Sequence, residues 1–588
     1  MLPPRALSFQ HRAEADQLRT AVGSGGTAVL SQVLTGTGGV GKTQLAADYA
    51  RTAWDSGGVD VLVWISASSR SAITAGYAQA GVELLAADPG DPEQSARAFL
   101  AWLEPKAGQK PCRWLIVLDD VTDPADMRGW WPPASPRGRV LVTTRRREAA
   151  LTGAGRRLVT VGLFTPQEAS AYVTAVLAAH DRHEPTDQIK SLAADLGHLP
   201  LALAQAAAYI VDTNVTCARY RELLADRLGK LADLLPEPSA LPDDQAVTVA
   251  ATWSLSIEHA DRLRPAGLAR PMLQLAAMLD PNGIPTDVLT SRPALTHLAH
   301  HRSPNTRHPV PATTEDAAGA LHALHRLSLV TCTPGRPVQV HGLVQRSVRE
   351  QLPPEALART VRAAADALLQ AWPQTERDFA TGQRFRANTE MLRSHDEHLL
   401  WSDQDVHEVL LRLGQSLARA GFYQASSDHY RQLAATSAQK YGAGYPRTLA
   451  CRSNSLRFLK FTARPAEAVA AYTQLAAEFT RLVGPDAPAT LDARGELAQA
   501  RAGGGDLAGA LADYQELLAD HHRVKGPHHR STLSVRRRIA SFHDWGDAPR
   551  AAALYEQLLG DCRTYLGPLD DMTLDIRIQL ARLQGRAG

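Results

Sequence analysis

Long apolar runs are missing from this sequence of 588 residues. The longest candidate, residues 199–211, is shorter than the roughly 18–20 apolar residues that a membrane-spanning helix needs, and Gln205 interrupts it. The first residues also lack the apolar core of a secretory signal peptide. The sequence therefore predicts a chain that does not span a membrane, and we expect it in the cytoplasm.

Cysteine is scarce as well, with five residues in the whole chain. The five lie far apart and form no CxxC pair, so their spacing indicates neither a disulfide framework nor a zinc site. They are Cys112, Cys217, Cys332, Cys451 and Cys562. A reducing compartment fits this pattern best.

A large net charge is also absent. The 63 Lys and Arg residues nearly balance the 61 Asp and Glu residues, which leaves a formal charge of +2. Such a balance does not attract nucleic acid or anionic membranes in bulk, so we expect neither as a direct partner. Only eight of the 63 basic residues are lysines, and abundant Ala and Arg with scarce Lys is typical of an actinobacterium-like genome.

A phosphate-binding motif stands out near the N-terminus. Residues 36–43 read GTGGVGKT, after an apolar run at 29–34 and before a helix-like segment. The glycines allow backbone N–H groups to turn toward a di- or triphosphate, Lys42 can reach the β- and γ-oxygens, and Thr43 can complete a magnesium shell. An ordinary glycine-rich loop is the alternative. The predicted nucleotide contacts are Gly36, Gly38, Gly39, Val40, Gly41, Lys42, Thr43 and Gln44.

Two adjacent carboxylates follow a later apolar run, at Asp119 and Asp120. Asp119 would hold magnesium directly or through water, and Asp120 could orient or deprotonate an attacking water, because phosphoryl transfer mainly needs positioning and charge neutralisation. With Lys42 they are the predicted catalytic residues. The alternative is a pair of surface aspartates in a turn.

Five short apolar runs alternate with helical or Pro/Gly-rich segments in residues 1–160, which predicts a parallel sheet buried on both faces. Ligands bind beyond the carboxyl ends of such strands. Arg145 follows the fourth run, so it could contact a γ-phosphate, although a solvated basic turn is the alternative. The runs are 29–34, 59–65, 114–120, 139–144 and 158–163.

The segment after the last run begins with Thr165, Pro166 and Glu168, a capping box with proline at the first helical position. Further on, residues 197–203 read GHLPLAL. Pro200 in this stretch offers a flat apolar surface to an adenine ring, although an ordinary helix start is the alternative.

Taken together, GTGGVGKT, LIVLDD, VTTR and GHLPLAL occur in the order and approximate spacing of the NB-ARC family of STAND ATPases, which the chain resembles. The resemblance implies ATP or ADP with Mg²⁺ as ligands and an adenine contact for Pro200. Residues 9–14 resemble the family's FVGRE motif in degraded form. His11 replaces its glycine and Ala13 its glutamate, so only Arg12 carries over as a nucleotide neighbour.

Residues 236–352 resemble the winged-helix domain of that family, with a helix at 317–327, strands at 329–333 and 337–340, and a helix opened by His341. The resemblance implies that His341 contacts the β-phosphate of ADP, in place of the family's MHD histidine. Val340 and Gly342 depart from that motif, and a purely structural histidine is the alternative. We see no helix with a concentrated basic face, so DNA binding is not expected.

Local sequence pattern predicts the structure of two further segments. The histidine-rich stretch contains His297, His300, His301 and His308 and reads as a solvated loop. Residues 353–405 read as a helical connector.

The C-terminal part repeats with intervals of 42, 42 and 41 residues between equivalent tyrosines, and a leucine follows each tyrosine by three residues. A glycine is expected to end the first helix of each unit, and a Thr-Leu pair to begin the second. This resembles tetratricopeptide repeats of the long, kinesin-light-chain-like kind. We expect the tyrosines in the core and a protein partner or ligand on the concave face. The tyrosines are Tyr430, Tyr472, Tyr514 and Tyr555.

The sequence thus predicts a multidomain α/β plus α protein. The predicted domains are a P-loop nucleotide-binding domain at 1–160, a small helical domain at 161–235, a winged helix at 236–352, a helical connector at 353–405 and tetratricopeptide repeats at 406–588. Few residues precede the first strand, so we expect either output through a separate effector protein or a partial version of a longer architecture.

The resemblance implies a signal-transducing switch in bacterial regulation or defence. Such a switch senses a partner through its repeats, exchanges nucleotide, hydrolyses ATP slowly and can form a homo-oligomer on activation. A continuously cycling remodelling ATPase and a repeat scaffold with a structural nucleotide are the alternatives.

Overall fold

The computed structural model describes residues 2–3, 12–22, 27–32, 40–104, 112–144, 156–234, 244–302, 311–376, 378–402, 405–457, 465–544 and 547–587. The chain folds as two compact units, Met1–Ser416 and Leu417–Gly588. In the described residues, no helix is both long and apolar enough to cross a membrane.

The first unit begins with a parallel sheet of five strands in the order β2-β3-β4-β1-β5. The strand bounds lie within two residues of the predicted runs, and the parallel sheet is confirmed. Because β4 separates β1 from β3, Thr43 in the first turn of the helix Lys42–Asp55 meets the acidic end of β3 across the end of β4. The strands are β1 Thr27–Gln32, β2 Val61–Ser66, β3 Trp114–Val121, β4 Gly138–Thr144 and β5 Arg156–Val161.

Both faces of β3 are covered along residues 114–118, which is why this part of the strand is continuously apolar rather than alternating. Residues 114–118 are each at most 2% exposed. The ring of Trp114 lies over Gly138, its register partner on β4, where an added Cβ would come within 2.1 Å of the ring. Only glycine fits at this point, so the start of β4 is fixed by the tryptophan.

Within the described part of residues 12–234, eight helices surround and follow the sheet. The capping box at Thr165 and Glu168 is present with Pro166 in the first turn of α5, as predicted. The helices are α1 Ala13–Val22, α2 Lys42–Asp55, α3 Arg70–Leu85, α4 Pro92–Leu103, α5 Pro166–Ala178, α6 Thr186–Asp195, α7 Pro200–Thr213 and α8 Cys217–Leu234.

The next segment places helices before a short antiparallel hairpin, and its assignment as a winged-helix domain stays a prediction. The strands β6 Val330–Thr331 and β7 Gln339–Val340 pair, and Ile284 bridges to Val338. The helix after the hairpin begins where the sequence predicts. The helices are α9 Asp244–Arg262, α10 Ala269–Ala276, α11 Thr286–Leu289, α12 Arg292–His301, α13 Thr314–Arg326 and α14 Gly342–Glu350.

The prediction of a histidine-rich loop is wrong for three of its four histidines. His297, His300 and His301 lie on α12, which Ser291 caps by accepting the Ala294 N–H. His297 is only 5% exposed because α12 packs against the connector, and burial lowers its pKa to about 4. His308 lies outside the described residues.

Asp212 joins three helices of the first unit. It lies in the last turn of α7 and accepts hydrogen bonds from His259 Nε2 of α9 at 2.7 Å and from Arg326 Nε of α13 at 2.9 Å. The Asp212 side chain is 7% exposed, so this acceptor is largely shielded from water. The segment around α7 is therefore tied to the segment that contains the hairpin.

The connector consists of α15 Pro354–Ala371 and α16 Phe379–Asp396, followed by a 3₁₀ turn at Glu397–Leu400. Helix α16 packs against α3 of the sheet region. Helix α17, Glu408–Arg419, contains Ser416, the last residue of the first unit.

The second unit is a series of antiparallel helix pairs with the predicted register. Each first helix is followed by a glycine with φ between +87° and +102°, a conformation that strongly favours glycine. In each pair a threonine of the second helix donates to that glycine's carbonyl, at 2.7 Å for Thr490 and Gly484. The helices are α18 Tyr423–Tyr441, α19 Pro446–Leu456, α20 Pro465–Val483, α21 Pro488–Gly503, α22 Leu507–Lys525, α23 Arg530–His543, α24 Ala548–Tyr565 and α25 Asp571–Ala587.

The repeat tyrosines belong to the core, as expected. Tyr430, Tyr472, Tyr514 and Tyr555 are each at most 4% exposed. Tyr514 also donates its hydroxyl to the Gly495 carbonyl of the preceding helix at 3.0 Å. The prediction of repeats with a shared aromatic core is confirmed.

Candidate functional site

The start of α2 is built to face an anion. Gly41 lies at the N-cap with φ +93°, and having no side chain it leaves the first N–H groups of the helix uncapped. These groups form the positive end of the helix dipole. Lys42, Thr43 and Gln44 make up the first turn and are half-buried. Gly36, Gly38 and Gly39, predicted to line the same loop, lie outside the described residues.

Asp119 is the centre of a hydrogen-bond network at the end of β3. Its Oδ1 accepts the Thr43 hydroxyl at 3.0 Å and also the Thr143 hydroxyl from the neighbouring end of β4. The Thr143 oxygen in turn accepts the Asp120 N–H at 2.7 Å. Thr43 and Asp119, the predicted magnesium ligands, are thus in direct contact across β4.

The electrostatics of Asp119 favour a nearby cation. It is 5% exposed, and burial raises its pKa to about 6. The hydrogen bonds from Thr143 and Thr43 oppose this rise in pKa, whereas the negative charge of Asp120 adds to it. A divalent cation beside this carboxylate would favour its ionised form. The Thr43 hydroxyl and the Asp119 carboxylate are therefore suitable oxygen ligands for a Mg²⁺ ion held between them.

Asp120 has an unusual backbone, with φ +57° in the left-handed region. Non-glycine residues held there are under strain, and such residues are often found at functional sites. The Asp120 N–H donates to the Thr143 hydroxyl oxygen, where the pairing of β3 with β4 shifts register between Leu118 and Val121.

Arg12 links the phosphate loop to the end of β5. Its side chain donates to the Val40 carbonyl at 2.9 Å, to the Gly162 carbonyl at 2.8 Å and to the Leu163 carbonyl at 3.0 Å. It is 4% exposed, and its Nε is buried without a hydrogen-bond partner among the described residues. Arg12 therefore contacts the backbone of the predicted nucleotide loop.

Pro200 lies in the first turn of α7 and is connected to the same region. The Phe164 N–H, just after β5, donates to the His198 carbonyl at 3.1 Å. The Phe164 ring lies 5.0 Å from the Arg12 guanidinium carbon. The start of α7 is thus joined through Phe164 and Arg12 to Val40.

Two predicted nucleotide contacts remain, His341 and Arg145. His341 is the N-cap of α14, and its Nδ1 accepts the Leu343 N–H at 3.2 Å, which is a structural role. Its contact with a nucleotide stays a prediction. Arg145 lies outside the described residues.

Thr143 is a site residue that the sequence analysis did not single out. The available sequence signal was the position of Thr143 at the carboxyl end of β4, the strand that follows the acidic strand β3. That position matters only because β4 lies between β1 and β3 in the sheet. In the described part of the chain, no cluster of three or more His, Cys, Asp or Glu side chains forms a metal site. The candidate magnesium site therefore relies on one carboxylate and one hydroxyl, with phosphate oxygens.

Two family models match the chain. Residues 18–180 match the NB-ARC domain, and residues 260–357 match a family described as Domain of unknown function (DUF7779). The first match contains Thr43, Asp119, Asp120 and Thr143.

Relatives are similar over part of their length. A nucleotide-binding leucine-rich repeat (NLR)-like protein from Hyaloscypha variabilis is 25% identical over 450 residues, covering 71% of this chain and 42% of the relative. The regulatory protein AfsR of Streptomyces griseus is 31% identical over 274 residues, covering 44% of this chain and 26% of AfsR. The chain therefore spans less than half the length of these relatives.

Among solved structures, the chain is similar to a Signal Transduction ATPase with Numerous Domains (STAND) protein with a tetratricopeptide repeat sensor from Pyrococcus horikoshii. The TM-score is 0.48 at 13% identity, over 100% of this chain and 81% of that protein.

Proposed function

We propose that this chain, whose residues 18–180 form an NB-ARC nucleotide-binding domain, is a nucleotide-controlled molecular switch that senses a partner through its helical repeats. The NB-ARC match implies nucleotide binding. ATP and ADP as the nucleotides, Mg²⁺ as the metal and slow hydrolysis are parts of the proposal.

The observation that carries the proposal is the contact between Thr43 and Asp119. Thr43 lies on α2, which follows β1, and Asp119 lies on β3, which is not adjacent to β1 in the sheet. Thr143 on β4, the strand between them, bonds to the same carboxylate oxygen. A hydroxyl and a buried carboxylate held together at a helix N-terminus suit a magnesium ion that bridges to phosphate oxygens.

Each residue has a defined part in the proposal. Lys42 and the first N–H groups of α2 would hold the phosphates, and Thr43 and Asp119 would hold Mg²⁺, which neutralises phosphate charge. Asp120 would orient an attacking water. Pro200 would contact the adenine ring, and His341 and Arg145 would respond to the β- and γ-phosphates.

Regulation by a partner requires unequal affinity for two arrangements of the protein, because equal affinity shifts no population. The helix pairs of the second unit are the proposed sensor, with a protein or ligand on their concave face. We propose a regulatory role because AfsR is described as a regulatory protein, and we include self-association on activation.

The test is to denature the purified chain without added nucleotide, identify what is released, and measure mass by light scattering before and after ATP and Mg²⁺ are added. We expect stoichiometric ADP and an increase in mass after exchange or after partner addition. An empty site with rapid steady hydrolysis and constant mass would favour a cycling ATPase.

Lys42→Ala is the decisive variant, and Lys190→Ala is the matched control because Lys190 is exposed on α6. We expect the first to lose bound nucleotide and the second to keep it. Equal nucleotide content in both variants would contradict the proposed site. Loss of nucleotide with unchanged mass and partner binding would favour a scaffold instead.

A further inference from the structure

The last helix pair that the structure describes presents the two most exposed large apolar side chains among the described residues. Leu569, in the loop between α24 and α25, is 82% exposed, and Ile578 on α25 is 64% exposed. Arg577, beside Ile578, is exposed as well, and it forms no ion pair within the described part of the second unit. Exposed apolar side chains of this kind can mark a binding surface. The earlier helix pairs show what the equivalent positions contact.

The position of Arg577 is one at which each repeat binds the next. Arg577 lies four residues after the threonine of its helix pair, as three earlier arginines do. Each of those three donates to a carboxylate on the first helix of the following pair. The ion pairs are Arg452 with Glu478, Arg494 with Asp520 at 2.6 Å, and Arg536 with Asp561 at 2.7 Å. An arginine at this position is therefore placed to receive a carboxylate from a neighbouring helix.

The position of Leu569, two residues after the repeat glycine, contacts the end of the same neighbouring helix. At this position Asp486 accepts hydrogen bonds from Arg523 at 2.6 Å and 2.7 Å. In the next repeat His528 stacks on Tyr565, with ring centroids 3.8 Å apart. Each of these two partners lies three or four residues after the carboxylate that the arginine binds. The loop position and the arginine position thus face one stretch of the neighbouring helix.

Ile578 lies where an earlier helix pair receives a leucine. Its equivalent on α21 is Gly495, two repeat intervals earlier. An added Cβ at Gly495 would lie 3.5 Å from Leu517 Cδ2 of α22. Leu517 lies three residues before Asp520, the partner of Arg494. An apolar side chain at this position is therefore within reach of an apolar side chain of the same neighbouring helix.

The last described helix pair has the same turn geometry as the others. Gly567 has φ +102°, and Thr573 donates to its carbonyl at 2.8 Å. Thr532 donates to the Gly526 carbonyl at the same distance in the preceding repeat. The three exposed side chains are therefore presented as their equivalents are in the earlier pairs.

We propose that Leu569, Arg577 and Ile578 form a docking surface for an acidic amphipathic helix of a partner protein. Such a helix carries a carboxylate for Arg577, a leucine three residues earlier for Ile578, and an apolar or aromatic side chain three or four residues later for Leu569. The carboxylate supplies a charge-assisted hydrogen bond, and the two apolar contacts remove exposed surface from water. This inference goes beyond the proposed function, since it does not depend on the nucleotide site.

A second copy of this chain is not the occupant that the structure favours. The leucines at the required position of its own first helices are each at most 6% exposed, because they pack inside their own repeats. They are Leu433, Leu475, Leu517 and Leu558. Within the described residues, the first helices of a second copy are therefore already covered, and a helix from another protein fits better.

The probe is a synthetic peptide with the sequence of residues 547–567, which contains the required pattern at Leu558, Asp561 and Tyr565. An isolated helix of this length is marginal in water. A crosslink between positions 553 and 557, which are exposed on α24, holds the peptide helical. Binding of the fluorescently labelled peptide to the full chain is measured by anisotropy, and we expect saturable binding.

Charge exchange tests the contact of Arg577. Arg577→Glu should weaken binding by about tenfold or more, because it places two carboxylates against each other. A peptide with Asp561→Arg should bind this variant more tightly than it binds the unaltered chain. Ile578→Asp should also weaken binding of the original peptide. Arg563→Glu is the matched control and should leave the affinity unchanged, because Arg563 is an exposed arginine of α24 outside the surface.

Each outcome decides the proposal. Absence of binding to the unaltered chain, or equal affinities for the unaltered chain and Arg577→Glu, would overturn it. Failure of the Asp561→Arg peptide to bind Arg577→Glu would contradict the assigned ion pair. Light scattering tests the other occupant, since a dimer of the unaltered chain that Ile578→Asp converts to a monomer would assign the surface to a second copy and refute the partner helix.

Discussion

Replacing Asp119 with asparagine should stabilise the nucleotide-free protein while abolishing its binding of Mg²⁺ and nucleotide. The buried carboxyl has its pKa raised from 3.8 to about 6. A raised pKa in the folded state means that the folded chain holds the proton more tightly than the unfolded chain. The ionised carboxylate therefore opposes folding, and this penalty grows as pH rises between about 4 and 6.

The size of the effect follows from the shift. A difference of about 2 pKa units corresponds to about 3 kcal/mol at pH values above 6. Well below pH 3.8 the carboxyl is protonated in both states and contributes nothing, and at pH 4 its contribution is still small. Asparagine keeps an acceptor for the Thr43 and Thr143 hydroxyls, so most of the penalty should disappear at pH 8 and little should change at pH 4.

The assay is thermal unfolding of nucleotide-free protein at pH 4 and at pH 8. Asp123→Asn is the control, because it makes the same charge change at an exposed position just after β3. Asp119→Asn should raise the unfolding midpoint at pH 8 by several degrees more than at pH 4. An equal change in the unfolding midpoint at both pH values, or a rise at pH 8 equal to that of Asp123→Asn, would refute the electrostatic argument.

Three further predictions concern single contacts. Arg12→Lys should destabilise the chain by about 2 kcal/mol, because lysine lacks the planar fork that reaches three carbonyls; an unchanged melting midpoint would contradict this. Asp212→Asn should lower the free energy of unfolding, measured in urea, by about 1.5–3 kcal/mol, because His259 and Arg326 lose their charged acceptor. Exposed Asp187→Asn is the control and should change this free energy little. Thr490→Val should lower the free energy of unfolding by about 1 kcal/mol, because it removes the hydrogen bond to the Gly484 carbonyl. Exposed Thr473→Val is its control, and equal effects of the two variants would show that this bond contributes nothing.

The start of α2 and the acidic end of β3 were predictable because their sequence signals are local. A strand, a glycine-rich loop and a helix N-terminus follow one another in the chain, so Lys42 and Thr43 take their places without help from distant residues. The repeat register was predictable for the same reason, because each glycine and threonine interact within one helix pair.

The histidine stretch shows where local pattern fails. His297 and His301 lie among residues with weak helical signals, and α12 is stabilised by a serine cap and by packing on α15. That packing partner comes much later in the chain. A loop was the natural interpretation of the local sequence, and it was wrong.

The alternation of strands and helices, the period of the repeats and the candidate phosphate-binding residues are predictable from local sequence, because each depends on neighbours within a few turns of chain. The part of Thr143 in the Asp119 network depends on the fold, since it follows from β4 lying between β1 and β3. The same holds for the hydrogen bond between Asp280 and Asn388, because these residues are 108 positions apart in the chain.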